Sequence, residues 1–141
     1  MKKIISTLVI ALLYSCSSTT NIANKPLYEV LLVNNDGGSS IKFYEIFTES
    51  KEIKMLLGDE TLRKKINADD ITTSNFVIFN AGPTLEINNK VKIENVIETP
   101  TQIEVYIKDA QKNIDAVQTD DETLYPYTVI KINSKKPIVI K

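Results

Sequence analysis

The sequence predicts an α+β protein in which a mostly antiparallel β-sheet, of about six or seven strands, carries one or two short helices on one face. Three observations predict this class. Several segments alternate apolar and polar residues with the period of two that is typical of half-buried strands. One segment spaces its apolar residues at i, i+3 and i+4, as a helix does. The chain is long enough for one domain with a hydrophobic core.

The start of the chain has the pattern of a bacterial secretory leader. Two lysines precede a mainly apolar run over residues 4–14, which is too short to cross a membrane as a helix. Residues 13–16, Leu-Tyr-Ser-Cys, resemble the lipobox that signal peptidase II cuts before the cysteine. We therefore predict a signal peptide at residues 1–15 and a lipid on Cys16. The lipid bilayer would then hold the protein in the cell envelope, at the periplasmic or the surface side of the outer membrane.

The residues after the lipidation position divide into a linker and one folded body. Residues 16–26 are small and polar and lack periodicity, which predicts a flexible tether. Residues 27–141 are predicted to form a single domain.

The composition excludes several classes of function. The sequence has no histidine and no cysteine besides Cys16, so it contains neither a Ser-His-Asp nor a Cys-His arrangement and offers no imidazole ligand to a metal. Basic and acidic residues are mixed, and no lysine-rich stripe marks a nucleic-acid partner. We expect no enzymatic activity, no metal and no cofactor. The domain must also fold without a disulfide.

The first strand is predicted at residues 27–33 and a second at residues 41–47, joined as a hairpin by the turn-forming residues 34–38. The same turn could be mistaken for a calcium loop. Glu45 falls at the twelfth position if the loop starts at the first turn residue, but Gly38 and Ser40 do not supply the oxygen ligands that such a loop needs. A plain turn is the better interpretation.

Two short helices are predicted next. The first has capping residues at positions 48–50 and ends at Gly58, with its apolar face formed by Ile53, Leu56 and Leu57. The second is predicted from residue 59 to about residue 65.

The remainder of the chain is predicted to be mainly β-structure. Residues 76–79 are apolar on both faces, which indicates a central strand covered by the helix on one side. Residues 91–97 and 103–107 alternate as strands, with a break at Asn95-Val96 that indicates a bulge. A strand opened by Tyr-Pro-Tyr follows at residues 125–132. The last strand, at residues 137–141, is predicted to lie at an edge where a partner strand could add.

Adjacent aspartates occur at two places, Asp69-Asp70 and Asp120-Asp121. Such pairs can perform acid–base catalysis, and the second could also bind a hard cation together with Glu122. Neighbouring acids on a solvated segment are rarely desolvated enough to shift their pKa values. Solvated charge is therefore the better interpretation of both pairs, and residues 109–122 as a whole are predicted to form a loop.

The order of these segments, closed by the Tyr-Pro-Tyr strand, resembles the C-terminal domain of the PrcB family over roughly residues 50–141. The family is named for a lipoprotein accessory subunit of a secreted subtilisin-like protease complex. The resemblance implies a non-catalytic, membrane-anchored binding subunit that stabilises or modulates a secreted protease. The family's Pro-Thr-Gly-Gly-Tyr loop is altered here, because Pro83-Thr84 is followed by Leu85.

Two irregular segments are the candidate partner-binding surface, because recognition usually lies on loops held by a rigid sheet. Their candidate residues are Gly82, Pro83, Thr84, Tyr125, Pro126 and Tyr127. An alternative is that the two tyrosines pack on the sheet and the proline only sets a turn. A structural envelope lipoprotein, or a carrier of a small ligand without a protease partner, is the alternative function.

Overall fold

The computed structural model describes residues 25–86, 89–108 and 123–141. The predicted leader, most of the tether with Cys16, and the acidic residues of positions 109–122 lie outside the described residues. The described part contains seven strands and three short helices, which confirms the α+β class. Their bounds are β1 Tyr28–Asn34, β2 Lys42–Phe47, α1 Ser50–Leu56, α2 Glu60–Arg63, α3 Asp70–Thr73, β3 Asn75–Ala81, β4 Lys92–Glu98, β5 Ile103–Lys108, β6 Tyr127–Ile132 and β7 Ile138–Ile140.

The strands form two sheets. The first has four antiparallel strands in the order β1-β6-β3-β2, and the second has three in the order β4-β5-β7. β7 runs parallel to β5, whereas the other pairs are antiparallel. The pairing of β4 with β5 shifts register between Ile93 and Asn95, so the bulge lies beside the position that the sequence indicates.

The predicted hairpin of the first two strands is wrong. β1 and β2 lie at opposite edges of the first sheet, because β6 and β3 pair with each other between them. The turn residues therefore pass the ends of β6 and β3. Within this turn, the Gly38 amide donates to the Tyr125 carbonyl at 2.7 Å. The turn residues are compatible with a hairpin, but β1 and β2 pair instead with β6 and β3, whose residues are mostly buried.

The helices cover one face of the first sheet. Glu52 Oε2 accepts from the amides of Thr48 and Glu49, and the Asp59 carboxylate caps α2 by accepting from the amides of Thr61 and Leu62. α3 follows without being predicted from the sequence. The core on this side consists of Leu31, Phe47, Ile53, Leu56, Leu62, Ile66, Phe76 and Val129.

The second sheet covers the opposite face of the first. Its alternating pattern places Ile103 and Val105 inward, and both are fully buried. The core between the sheets consists of Val77, Phe79, Val91, Ile103, Val105, Ile130 and Ile132. The described residues thus form three layers, with the β3–β6 pair in the middle of the central layer.

A buried cation lies on the helix side of β6. The Lys131 ammonium is 3.4 Å from both carboxylate oxygens of Asp70 and 3.1 Å from Glu29 Oε1. Lys131 and Asp70 are both buried, and Asp70 Oδ2 also accepts from the Asn67 amide. Asn133 donates to Glu29, and together with the Lys131 ammonium it holds the pKa of Glu29 below its ordinary value. The interpretation of both adjacent acids as solvated charges is wrong for Asp70, which is buried in this ion pair, whereas Asp69 is exposed.

We expect the Lys131→Met variant to lose about 3–5 kcal/mol of unfolding free energy, because Asp70 would remain as a buried, unpaired charge. The Lys131→Met/Asp70→Leu double variant should lose less than the sum of the two single variants by more than about 1 kcal/mol. Urea denaturation of the wild type, the Lys131→Met and Asp70→Leu single variants and the double variant measures this coupling. A loss of unfolding free energy in the double variant equal to the sum of the two single losses would contradict the ion pair.

Candidate partner-binding surface

The two irregular segments that the sequence singles out, residues 81–85 and 124–127, lie side by side. We call them the paired loops. Thr84 and Leu124 exchange two backbone hydrogen bonds, of 2.9 Å and 2.8 Å, as an isolated antiparallel bridge. The Ala81 amide donates to the Pro126 carbonyl at 3.0 Å. The structure therefore brings together two segments about forty residues apart in the sequence.

The turn after β1 holds the second loop from its other side. The Tyr125 amide donates to Asp36 Oδ1 at 3.0 Å, and the Tyr125 carbonyl accepts from the Gly38 amide. Both backbone groups of Tyr125 are thus paired. A Cβ at Gly38 would lie 2.7 Å from the Tyr125 carbonyl oxygen, so the close approach requires glycine.

Gly82 makes the bend in the first loop. Its φ of +78° lies in the left-handed region, and a Cβ there would lie 3.1 Å from the Lys42 backbone nitrogen. Thr84 then closes a small turn, because its Oγ1 accepts from the Glu86 amide and from the Asn89 side chain, each at 3.0 Å. Pro83 is exposed, and Leu85 remains 47% exposed.

The candidate residues have different environments. Pro83 is exposed, and Thr84 and Tyr125 are half-buried. Pro126 is fully buried, Gly82 is buried, and the Tyr127 side chain packs against the helix-side core. The surface that a partner could contact is therefore formed by Pro83, Thr84, Leu85 and Tyr125, while the other candidates hold the backbone in place.

The residues that support the paired loops are not predicted by the sequence patterns. The sequence predicts that Asp36 and Gly38 belong to a hairpin turn, and no local pattern indicates that they bind a segment almost ninety residues away. One sequence feature argues against a tight hairpin. The polar stretch after β1 is longer than the two residues that such a hairpin uses.

Two polar side chains of β5 pair with each other. Tyr106 donates to Glu104 Oε2 at 2.8 Å on the exposed face of β5. This bond raises the pKa of Tyr106, and with a further bond from Gln102 it lowers the pKa of Glu104. Both pKa shifts favour the ordinary protonation states of these groups, a protonated Tyr106 and an ionised Glu104. Within residues 25–86, 89–108 and 123–141, no three acidic, histidine or cysteine side chains come together as ligands for a metal ion.

Within the part of the chain that the structure describes, apolar grooves flank the second sheet at two places. One, of about 360 Å³, lies between β1 and β4, and the other, of about 290 Å³, lies between β2 and β5. The core between the two sheets consists of buried side chains, and both grooves lie at the margins of the sheets.

No protein family, no curated protein and no solved structure matches the chain. The similarity to the PrcB family therefore stays a prediction. In the described part of the chain, no helix has the length and apolarity needed to span a membrane.

We expect Gly38→Ala to destabilise the protein by about 1–3 kcal/mol, because it forces the turn away from Tyr125 and breaks the backbone bond there. The exposed Ser40→Ala variant is the matched control and should stay within about 0.5 kcal/mol of the wild type. Thermal unfolding compares the two. Equal stability of both variants would show that this contact does not hold the paired loops.

Proposed function

We propose that this chain is a membrane-anchored bacterial lipoprotein that acts as a non-catalytic accessory or binding subunit in the cell envelope. The observation that carries the proposal is the position of the paired loops. Two mostly irregular segments, which continue β3 and β6, are held by backbone hydrogen bonds at one end of the central strands, and recognition surfaces are commonly built in this way.

The side chains of the paired loops suit a protein partner better than a reaction. Leu85 and Pro83 offer apolar contact, and Tyr125 offers a half-buried ring of a type favoured at interface centres. The hydrogen bonds that hold the backbone would reduce the entropy that is lost on binding. A secreted protease is the partner that the resemblance to PrcB implies.

The anchor rests on the leader pattern that ends at Cys16. A diacylglycerol thioether at this residue would keep the domain at the membrane, with residues 16–26 as the tether. The acylated cysteine would not be available as a nucleophile or for a disulfide.

The alternative is a structural lipoprotein or a carrier of a small ligand. The two marginal grooves are the places where a ligand would bind. The closely packed core between the sheets favours the protein partner over an internal ligand.

Affinity capture of the full chain from solubilised native membranes, followed by mass spectrometry, tests the proposal. The wild type should enrich one partner reproducibly, and Leu85→Glu should lose it because a charge replaces an apolar contact. Met55→Glu, at a 71% exposed position on α1, is the matched control and should retain the partner. Cys16→Ser should leave the membrane fraction.

The outcomes separate the alternatives. Enrichment of a secreted protease that depends on Leu85 would support the specific partner. Equal loss of a partner with both glutamate variants would contradict binding through the paired loops. A bound small molecule without a protein partner would favour the carrier.

A further inference from the structure

The groove between β1 and β4 has apolar walls that are open to water. Tyr28, Val30 and Val33 line it from the side of β1, and Val91 and Ile93 line it from the side of β4. Val30 is 48% exposed and Val33 is 43% exposed. Apolar side chains that adjoin in one concave surface of about 360 Å³ are typical of a ligand site.

The bulge in β1 places both exposed valines on the groove side of the first sheet. Val30 lies opposite Ile130, and Val33 lies opposite Thr128. Ile130 and Thr128 are two residues apart on β6 and so face the same side, whereas the two valines are three residues apart. A regular strand would turn one valine to the helix side. The register shift between Val30 and Leu32 inserts the extra residue that keeps both valines in the groove.

The charge at the groove is positive. Lys90 and Lys92 line it, and none of the described residues that line it is acidic. Neither ammonium makes an ion pair or a hydrogen bond within the described part of the chain. Lys92 lies opposite Lys108 in the β4–β5 pair, and the Lys108 ammonium is instead 3.8 Å from Glu94 Oε1. Because like charges opposite each other repel, an anion beside Lys92 would stabilise this end of the pair.

We propose that this groove binds one free fatty acid, with the alkyl chain along the valines and the carboxylate at Lys90 and Lys92. The ligand then complements both the apolar walls and the two unpaired ammonium groups. The groove is at the small end of the range for ligand sites, which fits one alkyl chain rather than the two chains of a phospholipid. The paired loops do not line the groove, so this site holds or fails independently of the partner binding proposed above.

The test uses the full chain in a lysate of its native cells, with the membranes retained. The probe is a dodecanoic acid that carries a photoreactive diazirine in its chain. Illumination should attach it to residues 28–33 or 90–93, which mass spectrometry locates. Dodecanol with the same diazirine is the matched probe without a charge, and it should label these residues about fivefold less.

Two double variants test the role of the charges. Lys90→Gln/Lys92→Gln should lower labelling by the acid about fivefold and leave labelling by the alcohol unchanged. Lys51→Gln/Lys54→Gln removes two exposed lysines of α1, on the helix side, and should be labelled as the wild type is. Far-ultraviolet circular dichroism checks that both proteins remain folded.

Three results would overturn the proposal. The first is equal labelling of the wild type and the Lys90→Gln/Lys92→Gln variant by the acid. The second is a probe attached only outside the groove. The third is an equal loss of labelling by the acid and the alcohol, or in both double variants, because these two lysines would then not bind the carboxylate.

Discussion

The structure depends on the antiparallel pair formed by β3 and β6. The pair runs in unbroken register from Asn75 opposite Ile132 to Asn80 opposite Tyr127, and it is covered on both faces. Phe76 and Val129 point into the helix-side core, while Val77 and Ile130 point into the core between the sheets. Burial of each such side chain contributes about 1.5–3 kcal/mol, so both cores draw much of their stability from these two strands.

The same pair positions the candidate binding surface. At the end of β3 the ladder continues through the bond from the Ala81 amide to the Pro126 carbonyl, and the pairing then slips by one residue so that Thr84 meets Leu124. The slip occurs at Gly82 and Pro83, where the positive φ and the missing amide interrupt regular pairing. The paired loops are therefore an irregular extension of the most buried strands, which gives them a rigid base.

Much of the fold can be predicted from local patterns. The apolar residues on both faces of β3 identify it as central, the alternation in β4 and β5 identifies a sheet with one exposed face, and the spacing from Ile53 to Leu57 identifies α1. These features depend on side-chain periodicity within one segment. Lys131 is an exception, because its position among apolar residues does not indicate that Asp70, sixty-one residues away, neutralises it.

The arrangement of the strands could not be predicted in the same way. The partner of β1 is β6, about a hundred residues away, and the choice between this pairing and a hairpin depends on total burial rather than on the turn. The division of the described strands into two sheets likewise depends on total burial rather than on local patterns. In the candidate site, the bends at Gly82-Pro83 and at Tyr125-Pro126 are local and visible, whereas their contact with each other and with Asp36 is long-range.

Amide hydrogen exchange on the intact protein tests the role of the central pair most directly. The slowest-exchanging amides should lie in β3 and β6 and should exchange together, at the free energy of global unfolding, while β7 and the outer edge of β2 exchange earlier. Protection that persists in the β4–β5 hairpin after β3 and β6 have exchanged would contradict the account, because the second sheet would then be the more stable unit.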